Sequence, residues 1–156
     1  MTRVKIRALF ATMPRRSSHK PKTTLTQADY VALASYRYAL RRFLHFSTER
    51  ARSAGISQQQ YQVLLAIKAL PAGEPPSVGD LAEVMQIRHH SAVGLLDRLK
   101  RRGLIKRLAD AEDGRRVRVR LSASGERLLN QLAAVHRDEL RRLGPELVKA
   151  LQALGV

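Results

Sequence analysis

Residues 77–121 read SVGDLAEVMQIRHHSAVGLLDRLKRRGLIKRLADAEDGRRVRVRL, and this stretch decides the fold. Apolar residues recur at helical spacing over residues 77–85, and Asp80 follows the first serine at the spacing of a capping box. A second helix is predicted over residues 89–102, with its apolar side chains on one face. Gly103 is expected to end it, because glycine readily adopts the positive φ that follows many helices. Two short helices joined by a few residues form a helix-turn-helix.

A basic β-hairpin is predicted directly after these two helices. Residues 104–108 have the pattern of a short strand, and residues 110–114 contain the Asp and Gly that favour a tight turn. Valine and leucine then alternate with arginine over residues 116–121, which predicts a strand with one buried and one cationic face. A helix-turn-helix followed by such a hairpin is a winged helix. The predicted fold class is therefore mostly α with a small β-hairpin wing.

The same stretch resembles the MarR family of bacterial transcription regulators. The family's wing motif is Asp-x-Arg, then an alternating strand ending in Leu-Ser, then a nearby Gly. Here these residues are Asp113-Gly114-Arg115, Val117, Val119, Leu121-Ser122 and Gly125. The recognition-helix motif corresponds to Asp97-Arg98-Leu99 through Gly103-Leu104-Ile105. The resemblance covers about residues 25–154, and it implies a homodimeric regulator, in particular a repressor, that binds a pseudo-palindromic operator in double-stranded DNA.

The composition also favours a polyanionic partner. The chain has 156 residues, enough for one closely knit fold, and a formal net charge of +16. Residues 98–120 alone contain ten cationic side chains and three acids. Nucleic acid is the first candidate for such a charge and an anionic membrane surface is the second, with generic solubility as the alternative explanation.

The sequence lacks both cysteine and a long apolar run, and both facts bear on where the protein is expected to act. The chain has no cysteine, which excludes disulfides and thiolate metal sites and agrees with a cytoplasmic location. No apolar run approaches the ~20 residues that a membrane-spanning helix needs, so we expect no membrane partner.

The remaining chain is predicted to form a tail and two flanking helical regions. The tail holds seven Lys or Arg and no acid, and we expect it to be flexible. A transit peptide, a translation start at Met13 and a nonspecific phosphate contact are other interpretations of it. Gly144-Pro145 is expected to break the last helical region in two. The predicted regions are a basic flexible tail (1–24), an N-terminal dimerisation helix (25–56), a winged helix-turn-helix DNA-binding region (57–121) and C-terminal dimerisation helices (122–156).

Each long helical pattern has its own cap or apolar face. Capping-box spacing joins Thr26 to Asp29 and Ser57 to Gln60. The predicted apolar faces are Leu33, Tyr36, Leu40, Phe43 and Ser47 in the first helix; Tyr61, Leu64, Leu65 and Ile67 in the second; and Leu128, Leu129, Leu132, Val135 and Leu143 in the last. Leucine stripes near both ends of the chain need something to cover them. The resemblance assigns that role to a second subunit.

The recognition helix carries the candidate base contacts. A helix in the major groove reads bases with its N-terminal residues. Histidine and serine offer hydrogen bonds to base edges or phosphates, and valine can contact a thymine methyl. The alternatives are an exposed helix start without base contact and a solvated basic face. The candidate DNA-binding residues here are Arg88, His89, His90, Ser91, Val93, Gly94, Arg98 and Arg101.

The resemblance places the wing in the minor groove. Arg115 would enter the groove, Asp113 could orient its guanidinium, and Arg116 would contact phosphate. A purely structural ion pair is the alternative for Arg115.

The resemblance further implies a small aromatic or anionic effector, bound between the dimerisation helices and the DNA-binding lobes. Core or dimer packing is the alternative role for each candidate pocket residue. The side chains of suitable type are Tyr36, Arg37, Tyr38, His45 and Tyr61.

A basic RNA- or ribosome-binding protein with the same fold is the alternative function. An enzyme is a distant third, because the five histidines lack metal-ligand spacing and no P-loop or nucleophile elbow occurs. We therefore expect no catalytic residue, no metal and no cofactor.

Overall fold

The computed structural model describes residues 24–70, 75–110 and 117–155, and within these ranges it contains five helices and one two-stranded sheet. The elements are α1 (Gln27–Ser53), α2 (Gln58–Ala69), α3 (Val78–Val84), α4 (His89–Arg101), β1 (Ile105–Ala109), β2 (Val117–Leu121) and α5 (Ala123–Ala153). The predicted mostly helical fold with a β-hairpin wing is confirmed. Residues 1–23 of the predicted tail and residues 111–114 of the predicted hairpin tip lie outside the described residues, as do residues 71–74.

Three helices begin where the sequence predicts, because polar side chains cap their first turns. In each capping box the hydroxyl of the first residue accepts a backbone N–H, and the side chain three residues on accepts one in return. The three boxes pair Thr26 with Asp29, Ser57 with Gln60, and Ser77 with Asp80. The predicted end of α4 is also confirmed, since Gly103 follows it at φ +66°.

The lobe that the sequence predicts to bind DNA is built from α2, α3, α4 and the wing around one apolar core, to which α5 contributes its first turns. Leu64 of α2, Leu81 of α3, Leu96 of α4 and Val119 of β2 are completely or almost completely buried. The prediction that Leu65 belongs to this core is wrong, because Leu65 lies on the opposite side of α2 and is 42% exposed.

Helices α1 and α5 lie side by side and antiparallel, since Arg42 contacts Glu146 whereas Ser47 contacts His136. Leu33, which the sequence places on the apolar face of this helix, is 41% exposed in the single chain. Val135 of the predicted α5 stripe is exposed as well. Small side chains let the two helices approach closely, so the line of contact differs from the leucine pattern. The buried residues of α1 are Ala32, Ala39, Ser47 and Ala51.

The predicted break at Gly144-Pro145 is wrong, because α5 continues through Pro145 to Ala153. A proline inside a helix removes one hydrogen bond and crowds the carbonyl four residues earlier, at a cost of about 3 kcal/mol. Leu143 and Ala150 are both buried on either side of the proline. Packing along α1 on both sides of Pro145 offsets the local defect and keeps the helix continuous.

The base of the wing is held by a buried ion pair. Arg118 of β2 donates to Asp110 through Nε at 2.5 Å and to the carbonyl of Pro75 through Nη1 at 3.1 Å. The backbone of the same connector adds a bond from Val119 N–H to the Pro76 carbonyl, at 2.9 Å. Arg118 therefore departs from the predicted cationic face, because its side chain is turned to a buried carboxylate rather than to solvent.

Candidate nucleic-acid interface

Helix α4 presents two chemically different faces. Its inner face consists of Ala92, Leu95, Leu96 and Leu99, which are buried in the lobe core. Its first turn is exposed and polar, and no side chain caps it. The uncapped N–H groups and the positive end of the helix dipole are therefore available to phosphate. The exposed candidates of this turn are Arg88, His89, His90 and Ser91.

One turn further along α4, Val93 and Gly94 are half-buried, while Arg98 and Arg101 are exposed. The guanidinium of Arg98 lies beside Gly94: a Cβ built on Gly94 would meet Arg98 Nη1 at 3.7 Å. This is an ordinary contact distance, so a side chain at this position would fit the isolated fold. Seven of the eight predicted recognition-helix residues thus lie on α4 and the eighth, Arg88, is its N-cap; the structure gives Gly94 no obligatory role in folding.

Replacing Gly94 with alanine should raise the free energy of unfolding by about 0.5–1 kcal/mol, because alanine favours a helix interior over glycine. If the missing side chain lets DNA approach α4, specific affinity should fall roughly tenfold in the same variant. Denaturant unfolding and duplex binding measure the two effects. Gly144→Ala is the matched control, since a Cβ there meets nothing within 4 Å. Equal DNA affinity in both variants would contradict a role for Gly94 in the interface.

The recognition helix and the wing are tied together. Arg107 of β1 forms an ion pair with Asp97 of α4, with Nη1 and Oδ1 2.8 Å apart. The Arg107 side chain is largely covered, so water screens this pair less than a pair on the open surface. The pair therefore ties α4 directly to the first strand of the wing.

The wing carries an exposed pair of cations that the sequence did not predict. Lys106 and Arg120 are direct cross-strand partners, and both are exposed. Like charges opposite each other weaken a hairpin, and within the described ranges neither residue forms an ion pair with an acid. The alternation of β2 was visible in the sequence, but naming this pair required the strand register. Lys106 and Arg120 extend the basic surface of the lobe.

The predicted wing contacts Asp113, Arg115 and Arg116 lie outside the described residues, and their roles stay predictions. Within the ranges that the structure covers, no group of three or more His, Asp or Glu side chains is arranged to hold a metal ion. None of the helices in those ranges is long and apolar enough to cross a bilayer.

Two of the five predicted effector residues line one cavity between α1 and α5. Tyr38 and His45 face a space of about 520 Å³ whose other walls are Arg41, Arg42, Phe46, Glu49, Arg50, Glu139 and Arg142. Arg42 lies over the Tyr38 ring, 5.8 Å from its centroid, and Arg50 lies over Phe46 at 5.1 Å. The wall therefore alternates aromatic rings with guanidinium groups.

The carboxylates of this cavity are already engaged in part. Arg142 donates to both oxygens of Glu139, at 2.9 and 2.6 Å. This hydrogen bonding holds the pKa of Glu139 below its usual range, so the group is ionised near neutral pH. Because arginines outnumber the carboxylates in the wall, an anion is better matched to the cavity than a cation.

The other three predicted effector residues are placed elsewhere. Tyr36 is half-buried and Arg37 exposed, and neither lines this cavity. Tyr61 is buried in the lobe, and burial raises the pKa of its hydroxyl. Its ring stacks on His136, with centroids 4.3 Å apart. His136 was not among the predicted site residues, because one histidine in a leucine-rich helix forms no recognisable pattern.

These elements define the class of the protein: a winged helix-turn-helix with a long antiparallel helix pair. Residues 54–116 match the model of the MarR family. The regulator FarR of Neisseria gonorrhoeae is 30% identical over 121 residues, which cover 77% of this chain and 73% of FarR. The chain belongs to the MarR family of transcription regulators. This membership confirms the resemblance and the prediction that the chain is not an enzyme.

Two further relatives show how far the likeness extends. The transcriptional activatory protein BadR of Rhodopseudomonas palustris is 32% identical over 97 residues, which cover 62% of this chain. The matching part spans only 55% of BadR. The Staphylococcus aureus MepR–DNA complex is 25% identical, with a TM-score of 0.61, and the match covers 72% of this chain and 84% of MepR.

Proposed function

We propose that this chain is a homodimeric repressor that binds a pseudo-palindromic operator in double-stranded DNA. The observation that carries the proposal is the first turn of α4, which exposes Arg88, His89, His90 and Ser91 while the opposite face is buried. Such a helix can enter a major groove without exposing any core residue. The DNA-bound relative MepR supports the choice of double-stranded DNA as the partner.

The proposed contacts divide into reading and positioning. His89, His90 and Ser91 would meet base edges or nearby phosphates, whereas Arg98 and Arg101 would hold the backbone without reading sequence. Arg115 of the wing would enter the minor groove, as in the family that the chain resembles. The Asp97–Arg107 ion pair supports joint action of both parts, because it joins α4 to the first strand of the wing.

The decisive experiment selects bound sequences from random duplex DNA with the purified protein. Enrichment of a short inverted repeat supports the proposal. A protein that prefers RNA over duplex, or that enriches no repeat, would support the RNA-binding alternative instead. Transcription in vitro from a promoter carrying the selected repeat then tests repression against activation, which matters because BadR is named as an activator.

His90→Ala should lower affinity for the selected operator by roughly 1–3 kcal/mol and relax base preference at one position of each half-site. Its affinity for random duplex should change less, because nonspecific binding depends on phosphate contacts. Lys100→Ala is the matched control, since Lys100 is an exposed cation near the end of the same helix. Binding of each variant to both duplexes at one salt concentration measures the difference. Loss of the same size on both duplexes would argue against base reading.

Two uncovered leucine stripes support the homodimer. Leu33, Leu40 and Leu44 repeat along one side of α1, and Leu140, Leu147 and Leu151 repeat along one side of α5. Leu33, Leu44 and Leu140 are each 40–43% exposed, and the other three are only half-buried. Such contiguous apolar surface on a soluble protein favours a protein interface. A symmetric pair would bring one stripe against its own copy.

Leu140→Asp should dissociate the dimer without unfolding the chain, because the side chain is exposed in the single subunit and would be buried only against a partner. Light scattering reports the mass, and circular dichroism reports the fold. Val135→Asp is the control, since Val135 is equally exposed but lies away from the stripe. Leu132 cannot serve this purpose, because it is buried in the lobe core. A wild-type protein that is monomeric at micromolar concentration would refute the homodimer.

The cavity between α1 and α5 supports a small aromatic anion as the effector. Its aromatic rings can stack on a planar ligand while the guanidinium of Arg41, which is exposed at the wall, pairs with a carboxylate. A panel of aromatic carboxylates, tested for release of the protein from its operator, measures this part of the proposal. Arg41→Ala should weaken the response to an active compound, whereas Arg37→Ala, outside the cavity, should not.

A further inference from the structure

We propose that His136 is a positioning residue that fixes the orientation of the DNA-binding lobe on the α1–α5 helix pair, and thereby sets the spacing between the two half-sites that a dimer can bind. The inference rests on the proposed function. It concerns a side chain that is 4% exposed, lies far from the first turn of α4 in sequence and does not line the effector cavity.

The two nitrogens of His136 fix the plane of its ring. Nδ1 donates to the Leu132 carbonyl of its own helix at 2.7 Å, because a carbonyl can only accept. In the neutral ring Nε2 then accepts from the hydroxyl of Ser47 on α1, at 2.9 Å. One bond holds the ring to α5 and the other ties it to α1, so the imidazole cannot turn without breaking a buried hydrogen bond.

The oriented ring in turn holds the lobe. Tyr61 of α2 stacks on the imidazole with an interplanar angle of 24°. Phe43 and Phe46 of α1 close the other sides edge-on, at centroid distances of 6.0 and 5.7 Å. Tyr61 belongs to the same core as the inner face of α4. The imidazole is therefore the one side chain of this cluster that hydrogen-bonds the helix pair and stacks on the lobe.

An apolar ring could fill the same space as the His136 imidazole, but its orientation would not be fixed by hydrogen bonds. Phenylalanine would keep the packing and lose both hydrogen bonds, so α2 could rock on the helix pair. A small rotation at this junction would displace the exposed first turn of α4, because Tyr61 and the inner face of α4 share one core. In a dimer it changes the distance between the two recognition helices, which must match the half-site spacing.

The test measures the affinity of the full chain for a set of duplexes. Each duplex carries the selected half-sites at the preferred spacing or at a spacing changed by one or two base pairs. In His136→Phe and Ser47→Ala, the affinity at the preferred spacing divided by the affinity at an altered spacing should fall roughly fivefold. A fivefold change corresponds to the loss of one hydrogen bond of ordinary strength. Tyr61→Phe keeps the stacked ring and should retain the wild-type ratio. Leu143→Val is the stability control, because it weakens the α1–α5 packing outside the junction.

Affinity for a single half-site should stay unchanged in every variant, which separates positioning from direct DNA contact. If His136→Phe does not fold, Ser47→Ala decides, because it removes one small side chain. A wild-type spacing preference that persists in Ser47→Ala, or that Leu143→Val loses equally, would overturn the inference and leave the proposed function intact. A wild-type protein without any spacing preference would overturn both.

Discussion

Replacing Gly125 with alanine should unfold the protein or leave it barely stable, with a loss of more than about 4 kcal/mol in the free energy of unfolding. A Cβ on Gly125 would lie 2.0 Å from the carbonyl oxygen of Leu104 and 3.0 Å from its carbonyl carbon. Both atoms are backbone, so no side-chain rotation can relieve the clash. A domain of this kind has only about 5–15 kcal/mol in total, so one such loss removes much of its stability.

The close approach at Gly125 is held by hydrogen bonds on both sides. The Ser122 N–H donates to the same Leu104 carbonyl at 3.0 Å, and the hydroxyls of Ser122 and Ser124 both donate to the Gly103 carbonyl. The start of α5 therefore cannot move away from the end of α4 without losing all of these bonds. Denaturant unfolding of Gly125→Ala and of Gly144→Ala, a helix glycine with open space around it, measures the effect. A Gly125→Ala protein as stable as wild type would show that the two segments do not pack this closely.

Operator affinity should fall roughly 10³–10⁵-fold when salt rises from 50 to 200 mM, if the dimer makes six to ten phosphate contacts. The physical reason is that binding releases counterions from the DNA, and this release is less favourable when the bulk salt concentration is high. The described cations able to make such contacts are Arg88, Arg98, Arg101, Lys106 and Arg120, present twice in a dimer. Fluorescence anisotropy over a salt series gives the slope.

Single substitutions assign that slope to residues. Arg101→Ala should reduce the salt slope by the equivalent of about one phosphate contact in each subunit. Arg107→Ala is an unsuitable control, because it breaks the ion pair with Asp97. Arg137→Ala serves better, since Arg137 is an exposed cation on α5, outside the recognition helix and the wing. A protein that starts at Leu25 should bind less tightly to random duplex while it keeps its operator preference. A slope near zero in the wild type would contradict the basic surface as a DNA contact.

The parts of the fold that the sequence predicted depend on local chemistry. Ser77 with Asp80, or Gly103 at a helix end, acts through its own neighbours, so spacing alone reveals it. The recognition-helix candidates could be predicted for the same reason, because the hydrophobic pattern of an amphipathic helix shows where its first turn lies. Family motifs then supplied the expected roles.

The parts that the sequence did not predict depend on which helix packs against which. Pro145 was predicted to break the helix because the free-energy cost of an internal proline is set by its immediate neighbours. The packing of Leu143 and Ala150 that offsets this cost is against α1, which is distant in sequence. Leu33 of the predicted apolar face stays exposed in the single chain, whereas the buried residues of α1 include the small Ala32, Ala39 and Ala51. The predicted effector residues were chosen by chemical type, and only the structure shows that Tyr38 faces a cavity while Tyr61 is buried against His136.

The pairing of α1 with α5 joins segments that are far apart in time as well as in sequence. Arg42 and Glu146 are 104 residues apart, so a ribosome adding about 5–20 residues per second needs roughly 5–20 s to make the partner of α1. Most of the lobe, from α2 to β2, is made during that interval, and the first turns of α5 complete its core. Helix α1 is thus made before the lobe and is covered by α5 only after the lobe has been made. In a nascent chain stalled before α5, the alanine and leucine faces of α1 would stay uncovered and could bind chaperones.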